Sequence, residues 1–192
     1  MLSLVLAALA ALVLGATSAS ATGGKLKCFA DTPATCTLNS STSATIDSTQ
    51  GGDAGVYLSN GKSTNGFPLA NVSFSFTYLC DSGGVTSCIG GGAPRWSIPI
   101  STDGTATTAG YAFLDAQNCL NGGTAANSDG TLTVSTTQPT CPVFFQSGQY
   151  ANWDAFAAAN PTFTISAALP FVISDVPTGG AIDVSNLIVT KS

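Results

Sequence analysis

The sequence contains no histidine, and all 10 of its acidic residues are Asp, so glutamate is absent as well. Without His, the Ser-His-Asp and Cys-His nucleophile systems are ruled out. So are His-based metal sites and the commonest general base near neutral pH. Cations are scarce too, with 5 Lys plus Arg and a net charge of −5. No basic cluster exists, which argues against nucleic acid and anionic lipid as main partners, because both demand counter-charge on one face. Only 8% of the residues are charged, so solubility must rest on the abundant Ser, Thr, Asn and Gly. No two cysteines stand at the C-x-x-C spacing of a zinc knuckle.

Long apolar runs are also missing. The one such stretch, about Leu4 to Leu14, falls short of the roughly 20 residues that span a bilayer. It is followed by Ala19-Ser20-Ala21, the small-residue pattern that signal peptidase accepts, although no Lys or Arg precedes the run. Residues 1–21 are therefore expected to be a removed signal peptide, and 22–192 a single secreted, extracellular domain without membrane association. The ending Ile188-Val189-Thr190-Lys191-Ser192 lacks the apolar tail of a lipid-anchor signal, which predicts release.

What is present in quantity is cysteine and strand-forming pattern. Cys28, Cys36, Cys80, Cys88, Cys119 and Cys141 form an even set behind an export signal, which favours disulfides. They fall into three close couples, so the favoured pairing is Cys28 with Cys36, Cys80 with Cys88, and Cys119 with Cys141. Each short bridge would contribute ~2.6 kcal/mol and the longer one ~3.4 kcal/mol at most in the chain-entropy model. Such local bridges are expected to pin loops more than to join distant strands.

The clearest strand is Val72 to Leu79, in which Val72, Phe74, Phe76 and Tyr78 alternate with Ser73, Ser75 and Thr77. Trp96, Ile98 and Ile100 share a face of a second strand, which Pro99 should place at an edge or bulge. Gly110 to Asp115 is apolar on both sides, as expected for a central strand buried on both faces. Further strands are expected at Gly55–Leu58, Thr131–Ser135, Val143–Phe145, Phe163–Ile165, Phe171–Ile173 and Ile182–Val189. The segment Thr22 to Gln50 reads as an edge or entry segment, with a weak strand near Thr45 to Asp47, and Asn118 to Gly130 reads as loop. Tyr150 to Asn160 predicts one two-turn helix, capped by Asn152, with Trp153 and Phe156 on one face. About eight to ten strands and one short helix give an all-β, disulfide-stabilised β-sandwich or jelly roll.

Candidate chemistry is sparse. Asp115 and Asp175, each ending an apolar strand, are the best-placed pair for a two-carboxylate glycosidase, although strand-end Asp residues usually bond to turn backbone. Arg95, the only Arg, either grips a hydroxyl-rich or anionic ligand with its planar fork or pairs with a strand Asp. Calcium is the one plausible ion, through Asp103 in Asp103-Gly104-Thr105 or Asp129 in Asn127-Ser128-Asp129-Gly130, though Asp-Gly is above all a turn signal. No other cofactor is implied. Trp96, Trp153, Tyr57, Tyr78 and Tyr111 could stack on a sugar ring. All of these except Tyr57 are expected in the core. Asn39-Ser40-Ser41 and Asn71-Val72-Ser73 fit the N-glycosylation pattern.

In the segments GGAPRWSIPI, GYAFLDAQNC and YANWDAFAAANP, the chain resembles a class of small secreted microbial β-domain proteins. The resemblance spans roughly Phe67 to Val189 and implies a compact β-domain without pointing to an activity. More distantly, AIDVSNLIVT is similar to the last strand of jelly-roll carbohydrate-binding modules. The leading expectation is thus a non-catalytic extracellular protein that binds a polysaccharide or surface polymer. Against it stand a structural wall component or secreted effector, and an Asp-dependent glycan hydrolase.

Overall fold

Period-two alternation sorts the side chains of each strand onto two faces, and the burial of residues 72–80 follows that rule. Val72, Phe74, Phe76 and Tyr78 are buried, while Ser73, Ser75 and Thr77 are half-buried on the opposite side. The computed structural model describes residues 20–21, 24–59, 63–80, 88–91, 93–121, 130–175, 177 and 180–192. Residues 1–19 of the expected signal peptide, and Asn127, Ser128 and Asp129 of the turn that ends at Gly130, lie outside these residues.

In chain order the elements are β1 (Ser20–Ala21), β2 (Lys25–Ala30), β3 (Thr35–Leu38), β4 (Ser43–Asp47), β5 (Ala54–Ser59), β6 (Val72–Cys80), β7 (Arg95–Ser101) and β8 (Gly110–Asp115). Then come α1 (Ala116–Asn121), β9 (Leu132–Ser135), β10 (Val143–Phe145), β11 (Gly148–Tyr150), α2 (Trp153–Ala159), β12 (Thr164–Ile165), β13 (Phe171–Ser174) and β14 (Ile182–Lys191). They form two antiparallel sheets packed as a sandwich. Sheet A runs β3-β4-β14-β6-β9, with β1 also on β14; sheet B runs β11-β10-β8-β7-β13-β5-β2, with β12 beside β7.

The core lies between the sheets. Phe74 of sheet A meets Trp96 of sheet B edge-on at 5.6 Å between ring centroids, and Phe76 meets the same Trp96 at 6.0 Å. Helix α2 closes one end of the sandwich. Asn152 caps it as expected, its side chain accepting from Ala155 N at 2.9 Å. Its buried Trp153 reaches Phe74 at 5.8 Å and donates through Nε1 to the carbonyl of Leu69.

Five expectations need correction. Pro99 does not mark an edge: β7 is interior, paired on one side with β8 and on the other with β13 and β12. The β13 pairing covers Arg95–Ser97 and the β12 pairing covers Ile100–Ser101, so the proline falls where the partner strand is interrupted. Its carbonyl still accepts from Ser166 N at 3.0 Å.

Of the three strands in the expected edge or entry segment, β2 and β3 do lie at sheet edges, but β4 is interior to sheet A, between β3 and β14. The expected loop after Asn118 instead begins within α1, which starts at Ala116. β8 is interior in its sheet but not buried on both faces, since Tyr111 and Phe113 are only half-buried.

The three disulfides pair as expected, yet Cys28–Cys36 does more than pin a loop. It ties β2, an edge of sheet B, to β3, an edge of sheet A. The two sheets are thereby covalently joined along one side.

A further irregularity lies in β14. Ser185 pairs with Thr77 and Ile188 with Ser75, so one extra residue is accommodated as a bulge. Asn186 takes φ 51° there and donates from its amide to Thr77 Oγ1 at 3.1 Å. Asn tolerates this left-handed conformation better than most residues.

Candidate functional site

The outer face of sheet B concentrates the half-buried aromatics of the protein. Register alone puts them in line. Lys27 of β2 lies opposite Tyr57 of β5, Tyr57 opposite Phe171 of β13, and Phe171 opposite Ser97 of β7. Ser97 lies opposite Phe113 of β8, and Phe113 opposite Phe144 of β10. Because a residue and its cross-strand partner share a face, this row crosses six strands on one surface.

Flanking positions thicken the row. Phe29 packs edge-on against Phe171 at 5.6 Å, and Tyr111 meets the same ring at 5.5 Å from the other side. Phe29 can lie flat over β5 because its cross-strand partner is Gly55, which presents no side chain. Phe29, Tyr57, Leu169 and Phe171 frame a shallow apolar hollow of about 290 Å³. Leu169 is 49% exposed, so this shelf faces water.

At the other end of the row the surface turns polar. A second hollow, of about 450 Å³, is lined by Arg95, Phe113, Asp115, Gln117, Asn118 and Phe144, with Gly91 at its rim. Arg95 stacks on the Phe113 ring, its guanidinium carbon 4.7 Å from the centroid. The same guanidinium grips Asp175 with both terminal nitrogens, Nη1 to Oδ1 at 2.7 Å and Nη2 to Oδ2.

Asp115, the cross-strand partner of Arg95, is buried and takes three hydrogen bonds from Asn118. The backbone N of Asn118 donates to Oδ1 at 2.7 Å, and its amide donates at 2.9 and 2.8 Å to Oδ1 and Oδ2. Asp115 therefore acts as the N-cap of α1, and the turn of that helix swings Gln117 and Asn118 to the hollow.

Each sequence-derived candidate can now be placed. Arg95, Asp115 and Asp175 come together around the polar hollow, with Arg95 between the two carboxylates; Tyr57 lies on the aromatic shelf. Trp96, Tyr78 and Trp153 are core residues, as expected, and burial pushes the Tyr78 hydroxyl above the usual phenol range. Tyr111 is the exception: it lies on the outer face, because β8 directs Ala112 and Leu114 inward instead.

Asp103 heads a turn. Its Oδ1 accepts from Thr105 N at 3.0 Å, Thr105 Oγ1 at 2.7 Å and Ser101 Oγ at 2.9 Å. These bonds, those from Thr105 foremost, hold the carboxyl below its ordinary range. Among the described residues, no three His, Cys, Asp or Glu side chains gather as a metal-binding group. Both sequon asparagines are exposed; the Asn39 amide donates to Thr45 Oγ1 at 2.9 Å.

Phe29, Phe113, Phe144 and Phe171, together with Gln117 and Asn118, were not singled out from the sequence. The signal for the rings was present in runs that are apolar on both strand faces, such as Val143-Phe144-Phe145 and Phe171-Val172-Ile173. In a two-layer sandwich only one of those faces can enter the core.

No protein-family model matches the chain, and no curated protein sequence does. Among solved structures, the crystal structure of an HCR/D mutant aligns with it at 7% identity and a TM-score of 0.31, covering 86% of this chain and 43% of that one. The chain thus spans less than half the length of that protein.

Proposed function

We propose that this protein is a non-catalytic, exported glycan-binding module whose contact surface is the outer face of sheet B. The observation that carries this reading is the cross-strand row Tyr57–Phe171–Ser97–Phe113–Phe144, which ends in a hollow of planar polar side chains. Sugar recognition needs those two elements together. Flat apolar rings cover the C–H faces of the sugar, while amides, carboxylates and guanidinium forks bond to its hydroxyls.

A binding role is favoured over hydrolysis by how the carboxylates are used. Asp175 is held by the Arg95 fork and Asp115 by the donors of Asn118, so both serve to fix the walls of the hollow. Export is supported by three disulfides in a chain with a leader-like beginning. Among the described residues, no helix is long and apolar enough to cross a membrane.

The test is retention of the full chain on insoluble cellulose, chitin and β-glucan, followed by release with soluble fragments. Phe113→Ala and Phe144→Ala should each weaken retention by about tenfold, the loss expected of one stacking ring. Absence of retention on all three polymers overturns the proposal.

A further inference from the structure

Resting on the glycan-binding reading, we infer that the ligand is an uncharged, extended polysaccharide laid across the strands, with the polar hollow and the aromatic shelf as two separate subsites. The length of the face argues for a polymer. Five strand-to-strand steps separate β10 from β2. At about 4.8 Å each they span about 24 Å, room for about five hexose units. A mono- or disaccharide in the hollow would leave Phe171, Tyr57 and Phe29 untouched.

Direction follows from the same register. The rings line up perpendicular to the strands, so a ligand that meets both ends must cross β8, β7 and β13 in turn. Over β7 it crosses Ser97, which is 2% exposed, with no charged group in that row between Phe113 and Phe171. A helically coiled glycan would turn away from the sheet between the two subsites; an extended one can run from Phe113 to Phe171 over the covered Ser97.

The charge of the hollow selects the class. Its one cation, Arg95, is already neutralised by Asp175, and Asp115 adds a second carboxylate beside it. A uronate or sulfate in the hollow would meet two existing carboxylates and no unpaired cation there, the next cation of the row being Lys27 at its far end, on a chain of net charge −5. Hydroxyl groups meet no such penalty, and the one lone-pair position that Asn118 leaves on Asp115, at Oδ2, can accept from one of them.

The experiment is calorimetry with the full chain against cello- and chito-oligosaccharides of increasing length and against oligogalacturonates of matched length. Affinity should rise by about tenfold or more between the disaccharide and the pentasaccharide, and the uronates should bind at least about tenfold more weakly. Phe171→Ala should abolish the length-dependent gain, bringing pentasaccharide affinity down to about that of the disaccharide. Tyr57→Ala on the neighbouring strand should do the same, and serves where Phe171→Ala misfolds.

Binding that is flat with length, or uronates bound as tightly as neutral sugars, overturns this inference and leaves the module assignment standing. Failure of every oligosaccharide and every insoluble glycan to bind overturns both. So does sedimentation showing that a second copy of the chain occupies this face and excludes the sugars.

Discussion

The ring of Phe29 lies across Gly55 on the adjacent strand, in the space a side chain at position 55 would fill. A Cβ there would come 2.4 Å from Phe29 Cζ and 2.4 Å from the backbone oxygen of Val172. Gly55→Ala should therefore cost about 1–3 kcal/mol, read as a lowered urea midpoint. Adding Phe29→Ala should recover only part of the loss, because the Val172 carbonyl cannot retreat without distorting β13. An unchanged midpoint for Gly55→Ala would contradict this packing.

Arg95 and Asp175 form a bidentate pair whose side chains are 18% and 23% exposed. A double-mutant cycle with Arg95→Gln and Asp175→Asn should give a coupling of about 1 kcal/mol at low ionic strength. The coupling should shrink as salt is raised, since both groups retain contact with water. If the cycle gives no coupling, the pair does not hold the wall of the hollow.

Replacing Cys28 and Cys36 together with Ala should lower stability by about 2–3 kcal/mol, the closure entropy of so short a loop. Hydrogen exchange gives the sharper readout. Protection should be lost first in β2 and β3, the two edges that the bridge ties, while β6 and β14 keep theirs. Uniform loss through both sheets would mean that the bridge supports the whole core.

Asp103 gives the pH prediction. Its folded-state carboxyl lies below the ordinary value of 3.8, because Thr105 and Ser101 donate to the ionised form. The stabilisation is present above the unfolded-state value and is lost as pH falls through the folded-state value. Thr105→Ala should move the Asp103 midpoint up toward 3.8, followed by NMR of the side-chain carbonyl. A midpoint that does not move would remove Thr105 as the cause.

Sequence reasoning reached the fold because the sandwich is written in period-two alternation and paired cysteines, both of them local signals. Val72 to Tyr78 and the Asn152-capped helix could be read directly. β2 and β3 escaped because Lys25–Ala30 and Thr35–Leu38 carry too few inward apolar residues for their pattern to stand out; the Cys28–Cys36 bridge and pairing to β5 and β4 hold them.

The candidate site was legible only in fragments. Arg95 stands out in the sequence as the lone Arg, Asp115 and Asp175 as a pair of strand-end carboxylates, and Tyr57 as the ring outside the expected core. What unites them is the pairing order β10-β8-β7-β13-β5, which sets residues distant in sequence side by side. Tyr111 is expected in the core because its strand is apolar on both sides, and the sequence does not show that one of those sides is left uncovered by a second layer.

The bulge in β14 makes Asn186 a spare residue. Take it out, and Ile182, Val184, Leu187 and Val189 fall into strict alternation with Asp183, Ser185 and Ile188. Without that residue the alternation of the last strand is unbroken, so a chain lacking Asn186 should keep Ile182, Val184, Leu187 and Val189 on the inward face.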